Sequence, residues 1–209
     1  MLWLLVGYMW LFIHRPFEVW PWLGAYHIER VYMIVTILYW ALVAPKTWLS
    51  CRNNVPVFLL AGTLLLASQT SPYANFAYVE DWFKILVFYF LVITTIRNER
   101  ELRILVTAFV CFTALYELHS LREFLCGRYQ YVMGVKRMVG VDATLSHPNS
   151  FGASVDYALP FLYPAWTLAS KRWQKLALTG IFGLGFTCVL LTGSRSSFLG
   201  LAAFVLVGV

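Results

Sequence analysis

Long apolar runs recur along the whole chain, and they constrain its fold more than any other feature of the sequence. They cover roughly residues 2–14, 31–45, 55–71, 82–96, 102–119, 150–169, 175–192 and 196–209. Only 12% of the residues are charged, whereas about 25% is usual in a soluble domain. A membrane-spanning helix needs about 20 residues, and several runs reach that length with their flanks. The pattern predicts an all-α fold, a polytopic transmembrane helical bundle of about seven or eight membrane segments.

The same pattern predicts one transmembrane domain over residues 1–209, with a polar loop at about 120–149. The first run has no basic stretch before it and no small-residue cleavage site, so we interpret it as a membrane segment and not as a cleaved signal. The last run stops at Val209 without a basic flank or a cap. We interpret this stop as a cut inside a helix and expect the chain to be a fragment of a longer protein.

Lysine and arginine residues stand mostly in the polar connections between the apolar runs. The net charge is +6, but the basic residues occur singly or in short clusters, which argues against the basic stripe of a nucleic-acid-binding protein. Alternate connections hold the clusters, as is typical of cytoplasmic loops: Lys46 with Arg52, Arg97 with Arg100 and Arg103, and Lys171 with Arg172 and Lys175. We therefore expect the loop at 120–149 and the turn at Arg195 on the opposite side of the bilayer. The orientation of the first segment stays open.

The loop at 120–149 is basic, although we expect it on the non-cytoplasmic side of the membrane, where short loops usually carry few lysine and arginine residues. Its basic residues are Arg122, Arg128, Lys136 and Arg137. Binding of an anion would explain them, because arginine forks onto phosphate oxygens and lysine adds a point charge. Gly140 would let the backbone approach a phosphate bound by Arg137. The alternatives are solvated loop charges or contacts with lipid headgroups, and an ion pair between this loop and Glu80 or Asp81.

A helix is expected to begin where the basic loop ends, at Pro148-Asn149. Proline favours an extended conformation for His147, and the Asn149 side chain is well placed to cap the helix. The exposed first turn, with Ser150 and Gly152, could then form an anion site. His147 is either a general base or an ordinary loop histidine.

Further along this helix, Asp156 would lie on the same face as Asn149. A carboxylate inside an apolar segment should face a wet cavity or a polar partner. We expect Asp156 to line a polar cleft onto which Glu117 and His119 also open. The alternative is that Asp156 links neighbouring helices as a structural polar contact.

A tight polar turn, Thr192-Gly193-Ser194-Arg195-Ser196-Ser197, separates the last two apolar runs. Ser194 or Ser196 can cap the helix that follows. Free N–H groups at that helix start, together with Arg195, would suit a phosphate. The alternative is that Arg195 simply extends to the membrane interface.

Other chemistries lack a motif in this sequence. The four cysteines, Cys51, Cys111, Cys126 and Cys188, show no C-x-x-C and no spacing to histidine, so we expect neither a metal site nor a disulfide framework. Cys111 and Cys188 are interpreted as small core residues. No ATP-binding or dinucleotide-binding glycine motif and no zinc-protease motif occurs, and no cofactor is expected.

Arg137-x-x-Gly140 is followed by Pro148-Asn149, by a helix with Pro160, and then by Thr192-Gly193-Ser194-Arg195. In this order and spacing the motifs resemble the bacterial O-antigen ligase and polymerase superfamily. His14-Arg15-Pro16 is similar to an Arg-Pro found early in some members. Hydropathy extends the resemblance over essentially the whole chain, although only about 60 residues carry the motifs.

The resemblance implies an inner-membrane glycosyltransferase of polysaccharide or lipopolysaccharide biosynthesis, the N-terminal part of a protein of about twelve helices. Such an enzyme moves a glycan from undecaprenyl diphosphate to a lipid or protein acceptor on the periplasmic side, without a metal. Arg137 and Arg195, with Lys136 beside them, would hold the donor diphosphate. Asn149, Asp156, Glu117, Gly140 and Ser194 would line or support the cleft. The resemblance places the essential base, a histidine, in a loop beyond Val209, so we expect residues 1–209 alone to be inactive.

Three alternatives stay open on the sequence alone. The first is an O-antigen polymerase, which the same motifs fit. The second is a transporter or flippase with Asp156, Glu117 and His119 along a path, which would favour inverted repeats that the segments do not display. The third is a non-catalytic membrane scaffold, in which the arginines are replaceable.

Overall fold

The computed structural model describes residues 1–46, 54–70, 76–132 and 134–208, and they are mostly helical. The helices are α1 (Leu2–His14), α2 (Pro16–Val19), α3 (Pro21–Gly24), α4 (Ile28–Leu42), α5 (Asn54–Thr70), α6 (Phe76–Thr95), α7 (Glu99–Leu125), α8 (Pro148–Ala158), α9 (Leu162–Leu168), α10 (Arg172–Thr192) and α11 (Arg195–Gly208). One 3₁₀ turn, Leu159–Phe161, joins α8 to α9. Two short strands, β1 (Gln130–Val132) and β2 (Val135–Arg137), lie between α7 and α8.

The prediction of seven or eight membrane segments is wrong. In the described part of the chain two helices are long and apolar enough to cross a membrane, α7 with 27 residues and α10 with 21. The other apolar runs form shorter apolar stretches, such as the 13 residues of α1. At 1.5 Å per residue, 13 residues extend about 20 Å, which is less than the roughly 30 Å of a hydrocarbon core.

The predicted segment at 150–169 is divided by its prolines. Proline lacks the N–H that a helix interior needs, and Pro160 lies in the 3₁₀ turn that ends α8. The 11-residue α8 and the 7-residue α9 result. Neither is long enough to span a bilayer by itself.

The all-α prediction is also wrong, because the basic loop contains a β-hairpin. Its antiparallel strands pair Gln130 with Arg137 and Val132 with Val135. Gly134 lies in the turn with φ of +77°, a conformation that glycine adopts without strain. Before the hairpin, α7 continues to Leu125, into the region expected to be loop. The hairpin places Arg137 at the end of a strand.

The described chain divides into two compact units. The first consists of Met1–Met9 and Tyr32–Leu102, and the second of Trp10–Val31 and Arg103–Val209. In the first unit, the Tyr32 hydroxyl donates to the Leu4 carbonyl at 3.1 Å. The Trp40 indole donates to Thr94 Oγ1 at 2.9 Å. These polar contacts join α1 to α4 and α4 to α6.

The second unit contains a hydrophobic core to which α7, α8, α10 and α11 contribute. Its buried members include Tyr116, Met138, Phe151, Val155, Cys188, Val189 and Leu201. Met138 belongs to the connection between β2 and α8, and its N–H donates to the Leu191 carbonyl at 2.9 Å. The core therefore anchors the polar connection directly to α10.

Two smaller predictions have mixed outcomes. Cys188 is fully buried, as predicted, whereas Cys111 is exposed, so its interpretation as a core residue is wrong. The expected pairing of Glu80 or Asp81 with the basic loop lies outside the side chains that the structure describes.

Candidate functional site

The turn between α10 and α11 is built from helix-ending and helix-starting signals. Gly193 closes α10 in the left-handed region, with φ of +58°, as is usual after a helix C-terminus. The Ser194 hydroxyl then accepts from the Ser197 N–H at 3.4 Å and so caps α11. The Ser194 side chain, which is buried, also lies 3.0 Å from Ser196 Oγ. The prediction of a serine cap at this turn is confirmed.

Arg137 brings the basic hairpin onto this turn. Its Nε donates to the Thr192 carbonyl at 2.5 Å. Its Nη2 donates to Asn149 Oδ1 at 2.9 Å. The guanidinium thus joins the end of β2, the C-terminus of α10 and the N-terminus of α8, three elements that are distant in sequence.

Arg195 begins α11 three residues after Thr192, and its side chain is exposed. Within the described ranges the Arg195 side chain makes no hydrogen bond or ion pair with another residue. Arg137 is therefore fixed by protein partners, whereas Arg195 is available to bind a ligand. Arg137 uses two of its five N–H groups in these contacts, so it too retains donors.

Lys136 does not take part in this arrangement. It precedes Arg137 on β2 and therefore points to the opposite face of the strand. Its ammonium lies 4.6 Å from the centre of the Tyr129 ring, in a cation–π contact on the hairpin surface. The structure does not bring Lys136 to the turn at residues 192–195.

The cap of α8 is His147 and not Asn149, so that detail of the sequence interpretation is wrong. The helix begins at Pro148, and the extended residue before it is His147. The His147 Nδ1 accepts from the Asn149 N–H at 3.2 Å. This cap leaves the Asn149 side chain free to accept from Arg137. His147 acts as a structural acceptor at this position.

Gly140 permits a close approach, but to the protein itself and not to a ligand. A Cβ at Gly140 would collide with the Tyr116 hydroxyl and would lie 2.7 Å from the Leu145 Cβ. The Gly140 N–H donates to the Leu145 carbonyl at 2.8 Å. Gly140 is buried, so its role is to close the loop against α7.

Asp156 faces α11 and not a shared cleft. A Cβ at Gly200 would lie only 2.6 Å from Asp156 Oδ2, and the other carboxylate oxygen is buried without a described partner. Burial raises the pKa of Asp156 to about 6. The Asp156 carboxyl therefore lies between α8 and α11. It is on the same face of α8 as Asn149.

Glu117 points into a separate small cavity. Its side chain is 4% exposed, and Oε2 has no partner among the described residues. The cavity walls are otherwise nearly all apolar, with Val110, Thr113, Ala114, Ala158, Leu159, Leu162 and Ile181 around the carboxyl. Asp156 is not among the residues that line it.

His119 belongs to a third location, a stack of rings. Its ring centre lies 5.4 Å from that of His14 and 6.4 Å from that of Trp20. Its Nε2 is 4.0 Å from Glu123 Oε1. Asp156, Glu117 and His119 therefore lie in three different environments, and the expected common cleft does not form.

An ion-pair network that the sequence interpretation missed holds the middle of the loop. Arg15 Nη1 lies 2.8 Å from Glu18 Oε1, and Arg15 Nε lies 3.6 Å from Asp142 Oδ2. Asp142 is 2% exposed. The Arg15-Pro16 pair was visible in the sequence only as a motif. Nothing local in the chain indicates a partner more than a hundred residues away.

Chemically, the turn at residues 192–195 offers guanidinium donors and hydroxyl groups but no cluster of metal ligands. Among the described residues, no three histidine, cysteine, aspartate or glutamate side chains are grouped to hold a metal ion. The donor set of Arg137 and Arg195 fits an oxygen-rich anion. Comparisons with protein families, with curated proteins and with solved structures find no match to this chain.

Proposed function

We propose that this chain provides the donor-binding part of an integral-membrane glycosyltransferase of the O-antigen ligase type. The enzyme would transfer a glycan from undecaprenyl diphosphate to a lipid or protein acceptor. The observation that carries the proposal is the contact of Arg137 with the Thr192 carbonyl. Through it, Arg137 contacts the turn that contains Arg195, although the two arginines are 58 positions apart in the sequence.

A diphosphate suits this pair because one arginine is held in place by protein contacts and the other is exposed. Arg137 is held by Thr192 and Asn149 and offers its remaining N–H groups from a fixed position. Arg195 is exposed and can close onto a second phosphate group. Fixed donors aimed at a leaving diphosphate stabilise its growing charge without reorganisation. Other residues would have to activate the acceptor hydroxyl.

The two long apolar helices support a membrane location for this site. The Cys188 Sγ lies 4.0 Å from the Glu117 carbonyl, so α7 and α10 have neighbouring C-terminal halves. In the most apolar 18-residue stretch of each helix, only 28% of α7 and 22% of α10 is buried inside the protein. Most of that surface is therefore left for lipid. In this proposal both C-terminal ends, and the turn at Arg195, face the periplasm of a bacterial inner membrane.

The charge pattern at the other ends of these helices agrees with that orientation. Arg103 lies in the first turns of α7, and Lys171 and Arg172 lie at the start of α10. Positive residues next to membrane helices favour the cytoplasmic side. The polyprenyl tail of the donor would then lie in the bilayer, below a headgroup held at the turn.

The direct test measures binding of undecaprenyl diphosphate to the purified chain in lipid nanodiscs. Arg195→Ala and Arg137→Ala are each expected to weaken binding by roughly tenfold to a hundredfold, since a hydrogen bond to a charged group contributes about 1.5–3 kcal/mol. Arg172→Ala, an exposed arginine at the far end of α10, is the matched control and is expected to bind as the wild type does. Unchanged binding in both Arg195→Ala and Arg137→Ala would refute the proposal.

A competition arm separates a diphosphate site from a general lipid headgroup site. Phosphatidylglycerol in the nanodisc presents a single phosphate, and so it offers fewer acceptor oxygens and less negative charge to the two arginines than a diphosphate does. Undecaprenyl diphosphate is therefore expected to bind with similar affinity at low and high phosphatidylglycerol content. Full displacement by phosphatidylglycerol would show that the turn binds ordinary headgroups.

A further inference from the structure

Arg15 reaches across the second unit to the loop that connects β2 with α8, residues 138–147. It stands between α1 and α2 in the left-handed region, with φ of +43°. Its Nη1 donates to Thr144 Oγ1 at 2.7 Å and to Glu18 Oε1 at 2.8 Å. Its Nε lies 3.6 Å from Asp142 Oδ2. One guanidinium thus contacts its own segment and two residues of the loop.

The neighbouring acids hold the same loop from both sides. Glu18 Oε2 accepts from the Ala143 N–H at 2.9 Å. Asp142 Oδ1 accepts from the Tyr116 hydroxyl at 2.5 Å and from the Leu145 N–H at 3.3 Å. The middle of the loop is therefore fixed to α2 on one side and to α7 on the other.

The two ends of this loop carry the two polar groups that meet at the candidate site. Arg137 immediately precedes the loop, Asn149 follows it by two residues, and their side chains are hydrogen-bonded at 2.9 Å. The path of the loop between them sets how β2 and α8 approach each other. A displacement of its middle would move both partners relative to the Thr192 carbonyl.

We propose that Arg15 is a positioning residue for the diphosphate site, and this rests on the function proposed above. By holding Asp142 and Thr144, Arg15 fixes loop 138–147, and the loop in turn fixes the guanidinium of Arg137. Arg15 does not itself bind the ligand, because its charge faces two carboxylates, those of Glu18 and Asp142. It acts on the ligand only through Arg137.

The test is a double-mutant cycle with undecaprenyl diphosphate in nanodiscs as the probe. Arg15→Gly removes the guanidinium, and glycine accepts φ of +43° without strain. In the wild-type background it is expected to weaken binding about tenfold or more, since small misplacements of a binding group have large effects. In the Arg137→Ala background it is expected to have no effect beyond about twofold. In the Arg195→Ala background the full effect of Arg15→Gly should persist.

A purely structural role would give a different pattern. General loosening of the fold would weaken binding by the same factor in all three backgrounds, and that result would overturn the inference. If Arg15→Gly does not fold, Thr144→Val and Glu18→Gln each remove one contact of the network and are carried through the same cycle. Arg15→Lys keeps the charge and should recover part of the affinity.

The cycle also separates this inference from the proposed function. Unchanged binding in both Arg137→Ala and Arg195→Ala refutes the diphosphate site itself. Loss of binding in those two variants, with an equal effect of Arg15→Gly in every background, refutes only the role of Arg15.

Discussion

Arg137 Nε lies 2.5 Å from the carbonyl oxygen of Thr192, the last residue of α10. The final carbonyls of a helix have no partner within the helix, and a cation at that end also compensates the helix dipole. Arg137 therefore stabilises the fold as well as forming part of the candidate site. Arg195, with its exposed side chain, has no such structural contact among the described residues.

Arg137→Ala and Arg195→Ala should therefore differ in stability. Arg137→Ala leaves the Thr192 carbonyl without its donor and is expected to lower the free energy of unfolding by about 1–3 kcal/mol. Arg195→Ala should change it by less than about 0.5 kcal/mol. Denaturant unfolding in detergent micelles measures both. Equal losses in the two variants would contradict the structural role of Arg137.

Asn149→Asp should separate stability from anion binding. A carboxylate at this position can pair with Arg137, and an acid in the first turn of α8 stabilises the helix by about 0.3–1 kcal/mol. The variant is therefore expected to unfold no more easily than the wild type. Its negative charge opposes a bound diphosphate, and a loss of about 1.4 kcal/mol in binding would appear as a tenfold weaker affinity. Asn149→Ala serves as the uncharged control.

Gly152 should tolerate no side chain, because α8 and α11 meet there. A Cβ at Gly152 would collide with Ser197 Oγ and would lie 2.9 Å from Ser197 Cβ. Gly152→Ala is expected to lower the free energy of unfolding by about 1–3 kcal/mol, as is typical of overpacking.

The matched control for this contact is Gly180→Ala in α10, where no atom lies within 4 Å of the added Cβ. That change is expected to be neutral or to stabilise the helix by up to about 1 kcal/mol. Ser197→Ala in the Gly152→Ala background should recover part of the loss, because it removes the nearest atom. Similar unfolding of the two glycine variants would contradict the close contact.

The sequence was sufficient to predict features that depend on local chemistry. Helices form over most of the apolar runs, and Ser194 caps α11 beside an exposed Arg195, as the turn motif predicts. The number of membrane segments could not be obtained in this way, because hydropathy does not show where each helix ends. The helix α1 has only 13 residues, and Pro160 divides the run at 150–169. The hairpin was missed because its strands have three residues each and no clear alternation.

Contacts between residues far apart in the sequence could not be predicted either. The network of Arg15 with Asp142, and the contact of Arg137 with Thr192, join residues 127 and 55 positions apart in the sequence. No periodicity within a single segment encodes such pairs. For the same reason, Asp156 and Glu117 were expected in one cleft but face different helices.

Glu117→Met should stabilise the protein. The Glu117 carboxyl is buried in a largely apolar cavity, and its Oε2 lacks a partner in the described part of the chain. Burial of a polar group without a hydrogen bond costs about 1–3 kcal/mol in proteins, and methionine fills a similar volume without that cost. Thermal unfolding in detergent should show the gain. Glu123→Met, at a more exposed position on the same helix, is the control and should be nearly neutral.

Asp156 should make stability depend on pH between about 4 and 6. Burial raises its pKa in the folded protein to about 6 from an ordinary value of 3.8. Between these values the folded state holds the proton more tightly than the unfolded chain does. The free energy of unfolding should therefore fall as the pH rises through this window and stay level above it, as far as this carboxyl is concerned.

Asp156→Asn keeps the shape of the side chain and removes the titration. The variant should gain stability relative to the wild type as the pH rises from about 4 to about 6, with a constant difference above that. Denaturant unfolding of both proteins at a series of pH values measures the difference directly. Parallel pH profiles for the two proteins would show that the Asp156 carboxyl is not held in the buried contact with Gly200.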